Sequence, residues 1–427
     1  MRLILVDRPE PKRRNFYPLA LSRPIWELWC GMTSLGEKLV KTVRSAEIAC
    51  WVPEFLADAY RQQTNWLVND PRSLLGGDLL MVDARLKPTA IKPLLEGPSR
   101  LGLDDAGEIR AARIVHEDVL KANAGSLDLL LAWAKQNITL SETKLPTWNY
   151  IWDLILANPQ QLTEDFVAAG QSGLEGKVEE PTAIRGSRSN VFVASGAKIH
   201  PMVVLDAENG PIYIDEDAEI QPFTRVRGPC YLGRKSVLIG ANCREGNSIG
   251  PVCRIGGEVE GSILQGYTNK YHDGFLGHSY VGQWVNLGAF TTNSDLKNDY
   301  SEVTITLDGR TRISTGSTKV GALIGDHAKT SIGTLLNTGA YVGAMTVLVT
   351  SGILLPKFIP SFTWYLNNAI IRGYGKEAGY ATARTVMGRR KCSWTETDEA
   401  MWNAVSEITE EEREDALRHS IRRTQGT

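Results

Sequence analysis

Residues 214–238, Ile214-Asp-Glu-Asp-Ala-Glu-Ile220-Gln-Pro-Phe-Thr-Arg-Val226-Arg-Gly-Pro-Cys-Tyr-Leu232-Gly-Arg-Lys-Ser-Val-Leu238, place an aliphatic side chain at every sixth position. That period fits neither the 3.6-residue repeat of a helix nor the two-residue alternation of a strand. It fits a prism-shaped solenoid. Each short strand turns one aliphatic side chain to the axis, three six-residue steps close a coil, and stacked coils share one core. The register returns at Ile249 and Ile255, at Phe275, Val281 and Leu287, and at Leu336, Val342, Leu348 and Leu354. Glycine follows at Gly233, Gly250, Gly256, Gly282, Gly288 and Gly343, where it is expected to supply corners with φ > 0. The period predicts a left-handed parallel β-helix over 183–356.

Outward from this core the pattern changes twice. Before it, residues 1–168 read as an α/β domain. Strands are expected at Leu3–Val6, Ile48–Val52 and Leu79–Val82, and helices at Leu35–Arg44 and from a Ser126 cap to Gln136. A helix from Ile151 is expected to end near Leu156, ahead of Pro159, and Gly170–Pro181 reads as a linker. Within the repeat, 266–274 and 293–317 break the period and are expected to project as loops, where solenoids carry their binding faces. The repeat is expected to end at Pro356. A helical tail over 357–427 follows, with a helix at Lys376–Arg390, another from Thr395 and a capping box at Thr409 and Glu412.

Composition narrows the function. A formal net charge of −2 gives no field for a nucleic-acid backbone. Six scattered cysteines without a C-x-x-C pair suit a reducing cytoplasm, and no apolar run approaches a membrane span.

The stretch Asn269-Lys-Tyr-His272-Asp-Gly-Phe275-Leu-Gly-His278-Ser-Tyr-Val-Gly-Gln-Trp-Val-Asn286-Leu-Gly288 resembles the acetyltransferase half of the bifunctional N-acetylglucosamine-1-phosphate uridyltransferase/glucosamine-1-phosphate N-acetyltransferase family. There a Lys-x-x-His-x-x-Tyr-x-Gly motif precedes Val-Asn-x-Gly-Ala. Thr292–Lys297 and Lys319–His327 look like the archaeal variant. In the first half, Pro18–Pro24 resembles the Pro-Leu-Thr segment of sugar nucleotidyltransferases, with Asp7–Arg14 standing where their glycine-rich loop would be.

The resemblance implies a site. His272 matches the catalytic histidine and is the candidate general base. Phe275 replaces the family tyrosine. Ala289 is expected to turn its N–H toward the acyl oxygen, and Lys270, Asn286, Asn293 and Lys319 are expected to bind substrate. Acetyl-CoA is the expected co-substrate. In the first half Arg13, Arg14 and Arg23 are candidates for a nucleotide triphosphate, and Asp83 for Mg²⁺. The function implied is acetylation of an amino-sugar 1-phosphate, such as glucosamine-1-phosphate, within nucleotide-sugar synthesis. Coupling of the sugar phosphate to a nucleoside triphosphate is a second expected activity, and a homotrimer is the expected assembly. The alternatives are a degenerate trimeric scaffold or nucleotide-sugar-binding regulator, and a zinc site built on His272, His278, His200 and His327.

Overall fold

A computed structural model describes residues 1–8, 11–141, 144–350 and 352–425. The chain divides into two compact units. The first holds 1–16, 22–28 and 33–150, and the second 17–21, 29–32 and 151–427.

The first unit is built on a six-stranded sheet: β1 (Arg2–Val6), β2 (Glu47–Trp51), β3 (Leu67–Val68), β4 (Leu79–Asp83), β5 (Arg100–Leu103) and β6 (Ile109–Ile114) in the order β3-β2-β1-β4-β6-β5. The first four strands of that order run parallel and the last two pairings are antiparallel. Helix α1 (Leu35–Val43) starts where Ser34 Oγ accepts the Glu37 N–H, and α2 (Glu54–Arg61) leads from β2 to β3. Helix α3 (His116–Ala122) and helix α4 (Leu127–Asn137), capped by Ser126 as predicted, complete the unit. The register sets Val6 beside Asp83, so Asp7 and Asp83 both lie at the carboxyl edge of the parallel strands, where open α/β sheets bind ligands.

The second unit is a parallel β-helix with the repeat that the period predicts. Three columns of inward side chains form its core. One runs Val193, Ile214, Leu232, Ile249, Leu264, Val281, Ile324, Val342, Ile359. A second runs Ile199, Ile220, Leu238, Ile255, Lys270, and a third Ile184, Leu205, Val226, Cys243, Val259, Leu276. At about 1.5–3 kcal/mol for each buried aliphatic side chain, these columns dominate the unit's stability.

Several expectations are corrected here. Leu276, 2% exposed, points inward rather than Phe275, and Leu355 at 1% rather than Leu354 at 55%. The glycines after inward residues do not sit at φ > 0. They are needed because the next coil is too near for a Cβ, which would lie 2.1 Å from Tyr271 O at Gly256 and 2.2 Å from Ser361 N at Gly343. The left-handed corners carry large residues instead, among them Phe223, Val252, Tyr267, Trp284, Phe290 and His327.

The Gly170–Pro181 stretch is part of the coil, since Gly173–Leu174 and Lys177–Val178 pair with strands of the next turn. Residues 266–274 are a shortened coil with a polar inward residue, not a projecting loop. The insertion after Asn293 does leave the coil, as a hairpin of Thr304–Thr306 with Arg312–Ser314. The last coil runs past Pro356, with Ile359 and Tyr365 still in register.

Helix α5 (Ile151–Ala169) continues through Pro159. Its buried face holds it to the coil, and fully buried Asn158 donates to Gly246 O and accepts from Gly31 N. The tail forms α6 (Gly375–Gly388), α7 (Glu396–Ile408) and α8 (Glu410–Gln425). The capping box is at Thr395 and Asp398. Thr409 ends α7, its hydroxyl donating back to Val405 O and accepting from Arg413 Nη1.

Candidate active site

His272 stands exposed at the corner that joins the second column to the third. Its ring lies edge-on to Tyr271, centroids 5.1 Å apart. Gly274 shapes the corner: its φ is +130°, and a Cβ there would meet Thr291 O at 2.2 Å. The next coil brings Ala289 and Phe290 alongside, and the Phe290 N–H donates to Asp273 O at 2.8 Å. Among the described residues no acceptor takes the Ala289 N–H. An exposed imidazole and an unengaged peptide donor thus share one corner.

Lys270 is not a surface cation. It is 1% exposed, paired in register with Ile255 inside the coil. Its Nζ donates to Gly256 O (2.7 Å) and His272 O (3.0 Å), and burial lowers its pKa to about 8. It fastens the corner that bears His272 instead of meeting a phosphate.

Asn293 is also interior. Its Oδ1 accepts from Gly277 N and its Nδ2 donates to Gly277 O, joining two coils, while Nδ2 also donates to the adjacent Ser294 O, so the whole amide is engaged. Asn286 lies on the outer surface, its Oδ1 accepting from Asn269 Nδ2 at 2.7 Å. Lys319 pairs with Glu260 (3.4 Å) at the other corner of the third column, beside His278 rather than His272.

That second corner holds a dyad the sequence reading did not single out as a site. His278 Nδ1 and Asp295 Oδ2 are 2.8 Å apart, both largely buried. Burial pushes the Asp295 carboxyl up, but the His278 hydrogen bond, the charge of His278 and that of Lys319 together outweigh it and hold the group below its ordinary range. Asp295 comes from the irregular stretch after Asn293, so spacing alone could not pair it with His278.

In the first unit the expected ligands Arg13 and Asp83 are already held by neighbouring charges. Arg13, 2% exposed, pairs with Asp7 at 3.1 Å and donates to Arg23 O, and Arg23 is itself buried. Arg14 is exposed. Pro9 and Glu10 lie outside the described residues. Asp83 is held by Arg85 (3.2 Å) and Arg110 (2.7 Å), and Arg110 also grips Asp104 at 2.8 Å. A carboxylate bridged by two guanidinium groups is already neutralised, and no group of three metal-ligating side chains exists among the described residues. Asp83 and its neighbours therefore do not fit a Mg²⁺ ion as arranged, and the four-histidine zinc site does not assemble.

Residues 3–172 match the family model described as sugar nucleotidyl transferase. Over 147 residues the chain is 36% identical to the bifunctional sugar-1-phosphate nucleotidylyltransferase/acetyltransferase of Sulfurisphaera tokodaii, covering 32% of this chain and 34% of that one. The likeness to this bifunctional relative covers only part of either chain. A second relative, the bifunctional protein GlmU of Methanococcus vannielii, is 27% identical over 270 residues, covering 60% of this chain and 57% of its own. The chain thus spans about a third to three-fifths of the length of these family members. The solved Arabidopsis UDP-N-acetylglucosamine acyltransferase covers 60% of this chain and is itself 96% covered, at 11% identity and a TM-score of 0.25, too low to bear on fold or function. No helix among the described residues is long and apolar enough to cross a membrane.

Proposed function

We propose that the protein transfers the acetyl group of acetyl-CoA to the amine of an amino-sugar 1-phosphate, with glucosamine-1-phosphate the first acceptor to try. The observation that carries this reading is the shared corner of His272 and Ala289. In acetyl transfer an amine nitrogen attacks a thioester carbonyl. His272 takes the amine proton, the Ala289 N–H faces the oxygen that becomes negative, and the C–S bond breaks as His272 returns that proton to the sulfur, releasing the coenzyme A thiol. Phe290 and Ile332, 64% and 71% exposed in successive coils, offer an apolar run for the thioester's arm. Exposed apolar corners also suit a second prism, and we propose a homotrimer in the cytoplasm, where the six free cysteines would stay reduced.

Release of free thiol from acetyl-CoA, dependent on glucosamine-1-phosphate, tests the reading. No release with any amino-sugar phosphate at millimolar concentration would refute it. A second reading, a nucleotide-sugar-binding regulator, is favoured by the first unit, where arginines hold Asp7 and Asp83, and by Phe275, which lacks the family hydroxyl. An assay with UTP, Mg²⁺ and N-acetylglucosamine-1-phosphate distinguishes it: binding without pyrophosphate release is its signature.

A further inference from the structure

Four successive coils place Arg254, Asn269, Asn286 and Lys329 in one outward column. The end of α6 brings Arg389 and Arg390 over it, enclosing a cavity of about 520 Å³. The volume falls within the range of small-ligand pockets, about 300–1,000 Å³. No carboxylate lines it. Arg254 spends Nη1 on the carbonyls of Lys235 and Cys253, and Lys329 spends two of its three donors on Trp284 O (2.6 Å) and His327 O (3.0 Å). Arg254 is held below its ordinary range by burial and then by the charge of Arg390. Among its acidic neighbours, Glu219 is shared with His200 at 3.0 Å. Four cations without a lining counter-charge form a site for a multivalent anion. One wall is aromatic: Tyr267 and Trp284 stack at 4.2 Å, with Tyr271 beside them.

We propose that this cavity binds a nucleoside diphosphate, the phosphates on the arginines and the base against the aromatic wall. The ligand could be a free nucleotide or the nucleotide end of an acyl carrier. Only the second source rests on the acetyl-transfer reading.

Calorimetric titration of the full chain with ADP, pyrophosphate, adenosine and coenzyme A tests it without turnover, so a silent transfer assay does not bear on the result. ADP should bind, pyrophosphate more weakly, and adenosine not measurably. Arg254→Gln and Arg390→Gln should each weaken ADP about tenfold, the worth of one charge-assisted hydrogen bond. The double variant Arg389→Gln/Arg390→Gln alters only the tail, and its fold is checked by thermal melting. Coenzyme A binding that falls in the same variants identifies the acyl carrier. ADP binding without coenzyme A identifies a free nucleotide. No binding of ADP at millimolar concentration, or ADP affinity unchanged in all three variants, overturns the proposal.

Discussion

Lys270→Met isolates the effect of placing an ammonium group inside the coil. The wild-type group is lowered from 10.5 to about 8, mainly by burial. At about 1.4 kcal/mol per tenfold, that difference corresponds to roughly 3 kcal/mol. The sign follows from proton counting. The unfolded chain keeps the lysine proton up to pH 10.5, whereas the folded chain sheds it near 8. Between those values the unfolded state binds more protons, so wild-type stability rises with pH across this window. Below pH 8 both states are protonated and the contribution is flat. Methionine is near in volume and cannot titrate. Urea unfolding at pH 7 and pH 10.5 should therefore show the wild type gaining roughly 3 kcal/mol on the variant. Lys329, also lowered to about 8 chiefly by burial, contributes to both proteins and cancels. A stability difference that is the same at both pH values would refute the reasoning.

Four further outcomes are expected. His272→Ala should cut acetyl transfer at least about a hundredfold with an unchanged melting temperature, while His278→Gln retains it; the reverse pattern in steady-state kinetics would move the base to the His278–Asp295 dyad. Leu276→Ala should cost about 2–5 kcal/mol in urea unfolding and Phe275→Ala less than half of that; equal losses would restore Phe275 to the core. Asp295 is held below its ordinary range in the fold, so its contribution is present above about pH 4 and lost as pH falls through the folded value. Asp295→Asn should flatten that acid limb in melting curves taken from pH 7 to pH 3. Asp7→Asn leaves Arg13 buried without its carboxylate and should cost about 3–5 kcal/mol, read by urea unfolding.

The six-residue period was legible wherever the inward residue was aliphatic, as from Ile214 to Leu238 and at Ile249 and Ile255. It failed where the core itself is polar. Lys270 and Asn293 occupy inward places, and a search for aliphatics steps past them and resumes one residue off, at Phe275. The family resemblance, which carries no register, made these two interior side chains expected substrate ligands. Leu354 slipped similarly, because the neighbouring leucine at 355 gives the pattern two equal choices. Pro159 was read as a helix stop because proline lacks one backbone donor, but the packing of α5 on the coil is distributed along its whole length and outweighs that single loss. Arg254 was legible only in retrospect: it is the outward neighbour of inward Ile255, as Asn286 is of Leu287, so the cavity's column follows once the register is known.

The corners of the coil divide labour between two kinds of position. A glycine one step past an inward residue cannot gain a methyl group without striking the adjoining turn. The left-handed tip between strands already accommodates tryptophan, phenylalanine and histidine, at roughly 1–2 kcal/mol of backbone strain each. Substitution is therefore confined to a row of projecting points spaced about 4.8 Å apart along the axis. A scaffold of this kind can acquire a new ligand by exchanging tips while its interior remains untouched.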